Sequence, residues 1–199
     1  SLSATLIVIF IAVPAAYYVA RNDFRGRKGF LFLVLVTQMF APTALVIGIF
    51  REIAKLNLAN TYLGLILVYA AFNMAFSIWI LSSFFSSIPQ EIEEAAWIDG
   101  CSRVSTLVRI VLPLSLPGLA TAFIFTFIAA WNEFVIALTL TSSPEQEPLT
   151  VGLTALIGFY QVQWQYLFAG SLIAIVPVVI LFGLIEKWLV GGLTAGSVK

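Results

Sequence analysis

The chain has no histidine, a single cysteine and few charges: of its 199 residues, 10% are Asp, Glu, Lys or Arg, ten basic against ten acidic. Each scarcity closes off a class of function. Without histidine there is no imidazole to ligate a metal or to act in a Ser-His-Asp type triad. A lone Cys101 cannot form an internal disulfide. Zero net charge leaves no electrostatic footprint for nucleic acid, and with no GxxxxGK[ST] loop the chain has no visible means of holding ATP. What it has instead is apolar mass, with 61% hydrophobic residues and a mean hydropathy of +1.03. A soluble domain of about 150–200 residues still leaves roughly a third of its unfolded surface in water. So much apolar surface cannot be hidden in one core of that size, and the solvent it implies is lipid.

Crossing about 30 Å of hydrocarbon takes roughly 20 apolar helical residues. Runs of that length fall near residues 3–20, 30–50, 61–85, 118–140 and 167–190. They predict an all-α polytopic membrane protein of five spans in a single domain, residues 1–199. The first run is not a signal peptide, because it lacks a basic start and ends on Arg21, Asp23, Arg25, Arg27 and Lys28. Basic residues mark the cytoplasmic side of short loops. Arg21, Arg25, Arg27, Lys28, Arg103, Arg109, Lys187 and Lys199 lie on one side, and Arg51 and Lys55 on the other. That places the C-terminus in the cytoplasm and the first residue outside. An odd number of spans and an abrupt start inside an apolar run imply that at least one further helix precedes Ser1.

Polar residues interrupt three spans: Gln38 and Pro42 in the second, Asn73 in the third, Asn132 and Glu133 in the fourth. They admit two readings. Neighbouring helices can satisfy such groups, so they serve packing and kinks; or Gln38, Asn73, Asn132 and Glu133 line a solute path. A carboxylate at the centre of a span costs roughly 2.5–3.5 kcal/mol on insertion scales, so Glu133 has to face protein or water. As a proton-coupling group it would instead make the protein a secondary transporter.

Residues 86–117 are far longer than the two to eight residues of an ordinary helix connection. Ser87 with Gln90 fits a capping box, Pro89 suits a first turn, and Glu91, Glu93 and Glu94 suit the positive end of a helix dipole. A short helix is therefore predicted from about Pro89 to Asp99. Gly100 is placed to end it in a left-handed conformation, and Ser102 to start a second helix closed by Pro113 and Pro117. Along the first helix Ile88, Glu91, Ala95 and Ile98 share a stripe, with Ile92, Ala96 and Asp99 beside it. An acidic amphipathic helix with small residues at its middle fits a groove on a protein partner. A helix lying on anionic lipid would carry Lys and Arg instead.

Glu94-Ala95-Ala96, Asp99-Gly100, Ile110, Leu112-Pro113 and Pro117-Gly118 resemble the EAA loop signature of the inner-membrane permease subunits of ABC importers. Three further stretches narrow the resemblance to the MalG-like, maltose-type carbohydrate family: Ala130-Trp131-Asn132-Glu133-Phe134, Leu149-Thr150-Val151-Gly152-Leu153, and the tail from Gly192 to Lys199. It covers essentially the whole chain but lacks the family's first span, and Cys101 stands where alanine commonly follows the glycine.

The resemblance implies a type I ABC importer transmembrane domain in a bacterial or archaeal cytoplasmic membrane, moving a polar solute by alternating access with no catalysis of its own. It implies that Glu91, Glu94, Ala95, Ala96, Asp99 and Gly100 form a coupling helix docked on a cytoplasmic ATPase. The tail Gly192, Leu193, Thr194, Ala195 and Gly196 either reaches between two copies of that ATPase or is a solvated end. In the outer loop, 141–166, Gly152, Leu153 and Gly158 would meet a solute-binding protein, while Trp164 and Tyr166 fit an aromatic belt. The implied partners are a second, non-identical permease subunit, two ATPase copies carrying ATP and Mg, an extracytoplasmic binding protein and lipid, with no cofactor or metal on this chain. The absence of Lys and Arg from the proposed solute-facing spans favours a neutral sugar. A glycerophosphodiester or polyol importer is the alternative, as is a proton-coupled transporter using Glu133.

Overall fold

The computed structural model describes residues 1–158 and 162–194, the last eight of these by their backbone alone. A backbone in hydrocarbon has no water to bond, so it closes its hydrogen bonds within helices. In order these are α1 (Leu2–Arg21), α2 (Arg27–Thr37), α3 (Pro42–Lys55), α4 (Tyr62–Ser87) and α5 (Gln90–Ile98). Then α6 (Arg103–Thr106) runs through a π-helical turn, Leu107–Val111, into α7 (Leu112–Leu114). They are followed by α8 (Leu116–Asn132), α9 (Val135–Leu140), α10 (Leu149–Gly152), a 3-10 turn at Leu153–Leu156, and α11 (Trp164–Thr194).

Among the described residues α1, α4 and α11 are long and apolar enough to cross a bilayer singly. The second expected run, 30–50, does not fold as one rod. It breaks into α2 and α3, which meet at 94°. Pro42 opens α3, and the residue before it, Ala41, is extended at φ −64° and ψ 129°, as the proline ring requires of its neighbour. The run at 118–140 breaks as well: α8 stops at Asn132, Glu133 is extended, and α9 restarts at Val135. The α6–α7 segment enters α8 at 80°. The helix of the fifth expected run, α11, continues to Thr194, past residue 190, where the sequence pattern ends the span.

Lipid tails give helices no hydrophobic reason to associate, so close packing of small residues has to do it. On α1 Ala4, Val8, Ala12, Ala16 and Ala20 recur every four residues and are all buried. Ala12 and Ala16 pack in one cluster with Ala70, Leu81 and Phe85 of α4. Between α4 and α8, Ser77 and Thr126 share a buried hydrogen bond of 2.8 Å. A second cluster joins Ile53 of α3 and Leu65 and Tyr69 of α4 to Ile136 and Ala137 of α9. The turn before α4 is fastened there too. Asn60, at positive φ, donates its backbone N–H to the Leu140 carbonyl at 2.7 Å, and its side-chain oxygen accepts from the N–H groups of Ser142 and Ser143. The apolar window of α11, by contrast, buries none of its residues within this chain.

That turn leaves no room at Gly64. A Cβ added there would lie 2.3 Å from the Leu58 carbonyl oxygen, whereas one added at Gly48 of α3 meets nothing within 4 Å. Gly64→Ala is expected to lower stability by about 1–3 kcal/mol, the usual cost of forcing atoms into a packed site. Gly48→Ala should cost nothing. Thermal unfolding of the two variants in detergent checks this, and equal midpoints would contradict the close contact.

Candidate functional site

The segment from Ser87 to Ser102 is built almost wholly from local hydrogen bonds. Ser87 is still the last residue of α4, and its hydroxyl donates to the Phe84 carbonyl at 2.7 Å. The expected capping box with Gln90 therefore does not form, and α5 begins directly after the extended Pro89 with Glu91 and Glu93 in its first turn. At the other end Gly100 has φ +87°. Its N–H donates to the Trp97 carbonyl at 3.0 Å and the Cys101 N–H to the Ala96 carbonyl at 2.9 Å. Those two bonds make a Schellman motif, which requires the left-handed residue. Ser102 then caps α6 by accepting from the Ser105 N–H at 3.2 Å, and the Arg103 guanidinium lies 5.6 Å from the centre of the Trp97 ring.

The faces of α5 divide differently from the sequence stripes. Glu91, Glu94, Ala95, Ile98 and Asp99 are exposed, Ile98 at 87%. Ala96 is buried at 5%, so it packs inward and does not share the outward face with Ala95. Glu93, expected to suit the positive end of the helix dipole, is 1% exposed. Its carboxylate lies 2.6 Å from the Arg21 guanidinium and accepts from the Tyr17 hydroxyl at 2.5 Å. Arg21 also donates to the Ile88 carbonyl at 3.1 Å. The basic residue that marks the end of the first span is thus the anchor that holds α5 and the end of α4 to α1.

At the opposite end of the bundle, Thr150 donates to the Glu133 carbonyl at 3.1 Å, tying α10 to the break between α8 and α9. Of the three residues expected to meet a binding protein, Gly158 is exposed and Gly152 partly buried. Leu153 instead packs on Gly170 of α11, so closely that a Cβ there would lie 2.4 Å from the leucine. Leu153 is half-buried, as Gly152 is. In the tail, the backbones of Gly192, Leu193 and Thr194 belong to α11; Ala195 and Gly196 lie outside the described residues.

The polar span residues sort clearly. Gln38, Asn73 and Glu133 line one cavity of about 190 Å³ with Tyr69 and Phe72. Asn132 is exposed and not part of it. Gln38 donates to the Phe72 carbonyl at 3.1 Å and Asn73 to the Tyr69 carbonyl at 2.8 Å. Glu133 accepts from the N–H groups of Ile136 at 2.9 Å and Ala137 at 3.0 Å, capping α9. Tyr69 carries no sequence signal of its own, since an aromatic residue in an apolar helix reads as core.

Apolar spans, two of them bent, around a polar cavity, with an exposed acidic helix pinned at one end, define a multi-span solute permease. The model of the binding-protein-dependent transport system inner membrane component family matches residues 9–194, and the chain belongs to that family of ABC importer permeases. It is 41% identical over 196 residues to the trehalose/maltose transport system permease protein MalG of Thermococcus litoralis, covering 98% of this chain and 70% of that one. To the sulfoquinovosyl glycerol transport system permease protein SmoH of Agrobacterium fabrum it is 38% identical over 199 residues, covering 100% and 70%. Among solved structures it resembles a chain of a bacterial ABC transporter involved in the import of the acidic polysaccharide alginate. The TM-score is 0.71 at 28% identity, over 94% of this chain and 73% of that one.

Removing one member of a buried ion pair strands the other charge, at a cost of about 3–5 kcal/mol. Glu93→Ala is accordingly expected to destabilise the protein by that amount. Glu94→Ala, one residue along on the exposed face, should stay within about 0.5 kcal/mol of the parent. Unfolding in detergent reads both, and a Glu93→Ala variant as stable as Glu94→Ala would mean the pair carries no load.

Proposed function

We propose that this chain is one half of the permease of an ATP-driven sugar importer, and that the exposed face of α5 is where a cytoplasmic ATPase docks. The observation that carries this reading is an outward acidic face, Glu91, Glu94 and Asp99 with Ala95 and Ile98, on a helix pinned from behind by the Arg21–Glu93 pair. A helix held that way moves with α1, and through Ile88 with α4. Displacement of its partner then tilts two spans together, the rocking form of alternating access.

The other assignments follow from this frame. Five spans cannot enclose a gated path, so a second, non-identical permease subunit completes it, and the unburied apolar face of α11 is free for that subunit or for lipid. ATP and Mg reside on two copies of the ATPase. The basic residues put α5 and the C-terminus in the cytoplasm, where the tail Gly192–Gly196 gives the ATPase a second contact. Gly152 and Gly158 face an extracytoplasmic binding protein at the other end. A sugar is favoured by the trehalose/maltose name of the archaeal relative. The proton-coupled alternative is weakened by Glu133, whose two oxygens already cap α9.

Uptake of trehalose and maltose by the complex reconstituted in proteoliposomes is expected to require ATP and to survive an uncoupler. Uptake that needs no ATP and collapses with the proton gradient would overturn the assignment. Gly100→Asp meets no neighbouring atom but strains the left-handed turn that ends α5, a local change that should leave the variant in the membrane yet abolish binding-protein-stimulated ATP hydrolysis. Undiminished stimulation would remove α5 from the docking site.

A further inference from the structure

Helix α2 packs on α4, yet of its own residues only Val34 is buried. Between the two helices lies a groove of about 430 Å³. Phe30 of α2, Phe40 in the turn after it and Leu45 of α3 form one bank, and Ala71, Met74 and Ile78 of α4 the other. Phe30, Phe40 and Leu45 are 39%, 55% and 44% exposed, so the groove is open along its length. Thr37 is the one polar residue in its lining, and its hydroxyl is committed to the Val34 carbonyl at 2.7 Å. A ligand there finds hydrocarbon contact and nothing else.

One end of the groove runs into charge. Phe30 lies one helical turn from Arg27, and Arg27, Lys28 and Leu31 line a cup of about 450 Å³ with Phe24 and Asp23. Arg21, Arg25, Arg27 and Lys28 fall within eight positions. Two of them are engaged, Arg21 by the buried Glu93 and Arg27 by Asp23 at 2.9 Å. Arg25 and Lys28 are exposed and pair with no carboxylate among the described residues. In the same segment the rings of Tyr18 and Phe24 lie 6.0 Å apart, as aromatic side chains gather at a membrane–water boundary. The eleven residues of α2 rise about 16 Å, about half of a 30 Å hydrocarbon core and so the depth of one leaflet.

We propose that the α2–α4 groove and the basic cup at its end hold one anionic phospholipid, with a hydrocarbon chain along Phe30, Val34 and Met74 and the headgroup phosphate at Arg25 and Lys28. Retention of basic residues on one side of the membrane accounts for the cations, but not for the apolar groove that opens beside them. A lipid of no net charge or an apolar helix would fill the groove and leave two cations unanswered. A negative headgroup answers both ends at once, and basic pockets between membrane helices bind such headgroups. The inference goes beyond the importer reading and needs only that these helices lie in a bilayer.

Native mass spectrometry of the full permease complex, stripped of lipid and titrated with phosphatidylglycerol or phosphatidylcholine, tests the headgroup site. The parent complex should hold one tight phosphatidylglycerol whose affinity falls at least about tenfold in Arg25→Gln/Lys28→Gln, two surface cations being removed. Phosphatidylcholine should bind both complexes alike. Arg51→Gln/Lys55→Gln, on α3, removes as many basic residues elsewhere and should leave the tight lipid in place.

A phosphatidylglycerol with a diazirine on its acyl chain locates the chain. Its label should fall within residues 30–45 and 71–78. Ala71→Trp, which fills the groove from an exposed position, should abolish it, and Thr37→Trp does the same from α2 should the first variant fail to assemble. Equal phosphatidylglycerol affinity in the parent and Arg25→Gln/Lys28→Gln complexes would overturn the headgroup site. Label confined to other subunits, or to other helices of this chain, would mean that protein covers the groove and would overturn the lipid altogether. ATP-independent uptake, which defeats the importer reading, leaves both of these measurements standing.

Discussion

The ion pair between Arg21 and Glu93 is the constraint on which the rest of the machinery depends. Taking two charges out of water is expensive, and their attraction repays it only when further hydrogen bonds satisfy the remaining lone pairs and protons. Here Tyr17 supplies one such bond to Glu93 and the Ile88 carbonyl receives another from Arg21. Replacing a pair like this with well-packed apolar groups is often neutral for stability. Its contribution is therefore better sought in position than in net free energy: it fixes α5 to the end of α1 and to the end of α4 at once. Without it, α5 would be joined to the bundle chiefly through Ile88 and Pro89 and through the Gly100 turn with the Trp97–Arg103 contact.

The packing of α1 makes that geometry possible. Ala4, Val8, Ala12, Ala16 and Ala20 form the buried stripe that allows α1 and α4 to approach. Tyr17 and Arg21 follow Ala16 and Ala20 by one residue each and share the same four-residue period. They therefore emerge on the flank of the contact face, where the chain leaving α4 places Ile88 and Glu93. Sequence periodicity sets the register, the register sets the anchor, and the anchor sets where α5 lies against α1 and α4.

Much of this is legible in the sequence, and the exceptions have physical causes. Hydropathy and basic residues point to helical spans, and the turn chemistry at Gly100 and Ser102 is local enough to be read directly, because each depends on one residue's conformation or one side-chain bond. The inward turn of Glu93 is not legible, since three glutamates within four residues are equivalent until a partner 72 residues away selects one. The contact of Leu153 with Gly170 is not legible for the same reason, because the glycine is supplied by another helix. The residues Gln38, Asn73 and Glu133 stand out as polar groups in apolar runs. That they share a chamber, and that Asn132 does not, follows only from how the helices bend.

Those bends are where fold and function meet. A hydropathy window averages over about one span and cannot see that α2 stops before Pro42 or that α8 stops before Glu133. In hydrocarbon a broken helix leaves backbone groups without partners, and it is tolerated only where protein covers them or a cavity receives them. Both remedies operate here. Glu133 turns its carboxylate onto the first N–H groups of α9, while Gln38, at the other break, lines the cavity and satisfies its own side-chain amide on the Phe72 carbonyl of α4. The returning halves, α3 and α9, then pack on each other through Ile53 and Ile136. The cavity between the breaks inherits the polar side chains that the breaks required. A polar chamber is thus a consequence of bending two apolar spans toward one another, and it lies against α4, whose end the Arg21–Ile88 contact ties to α1.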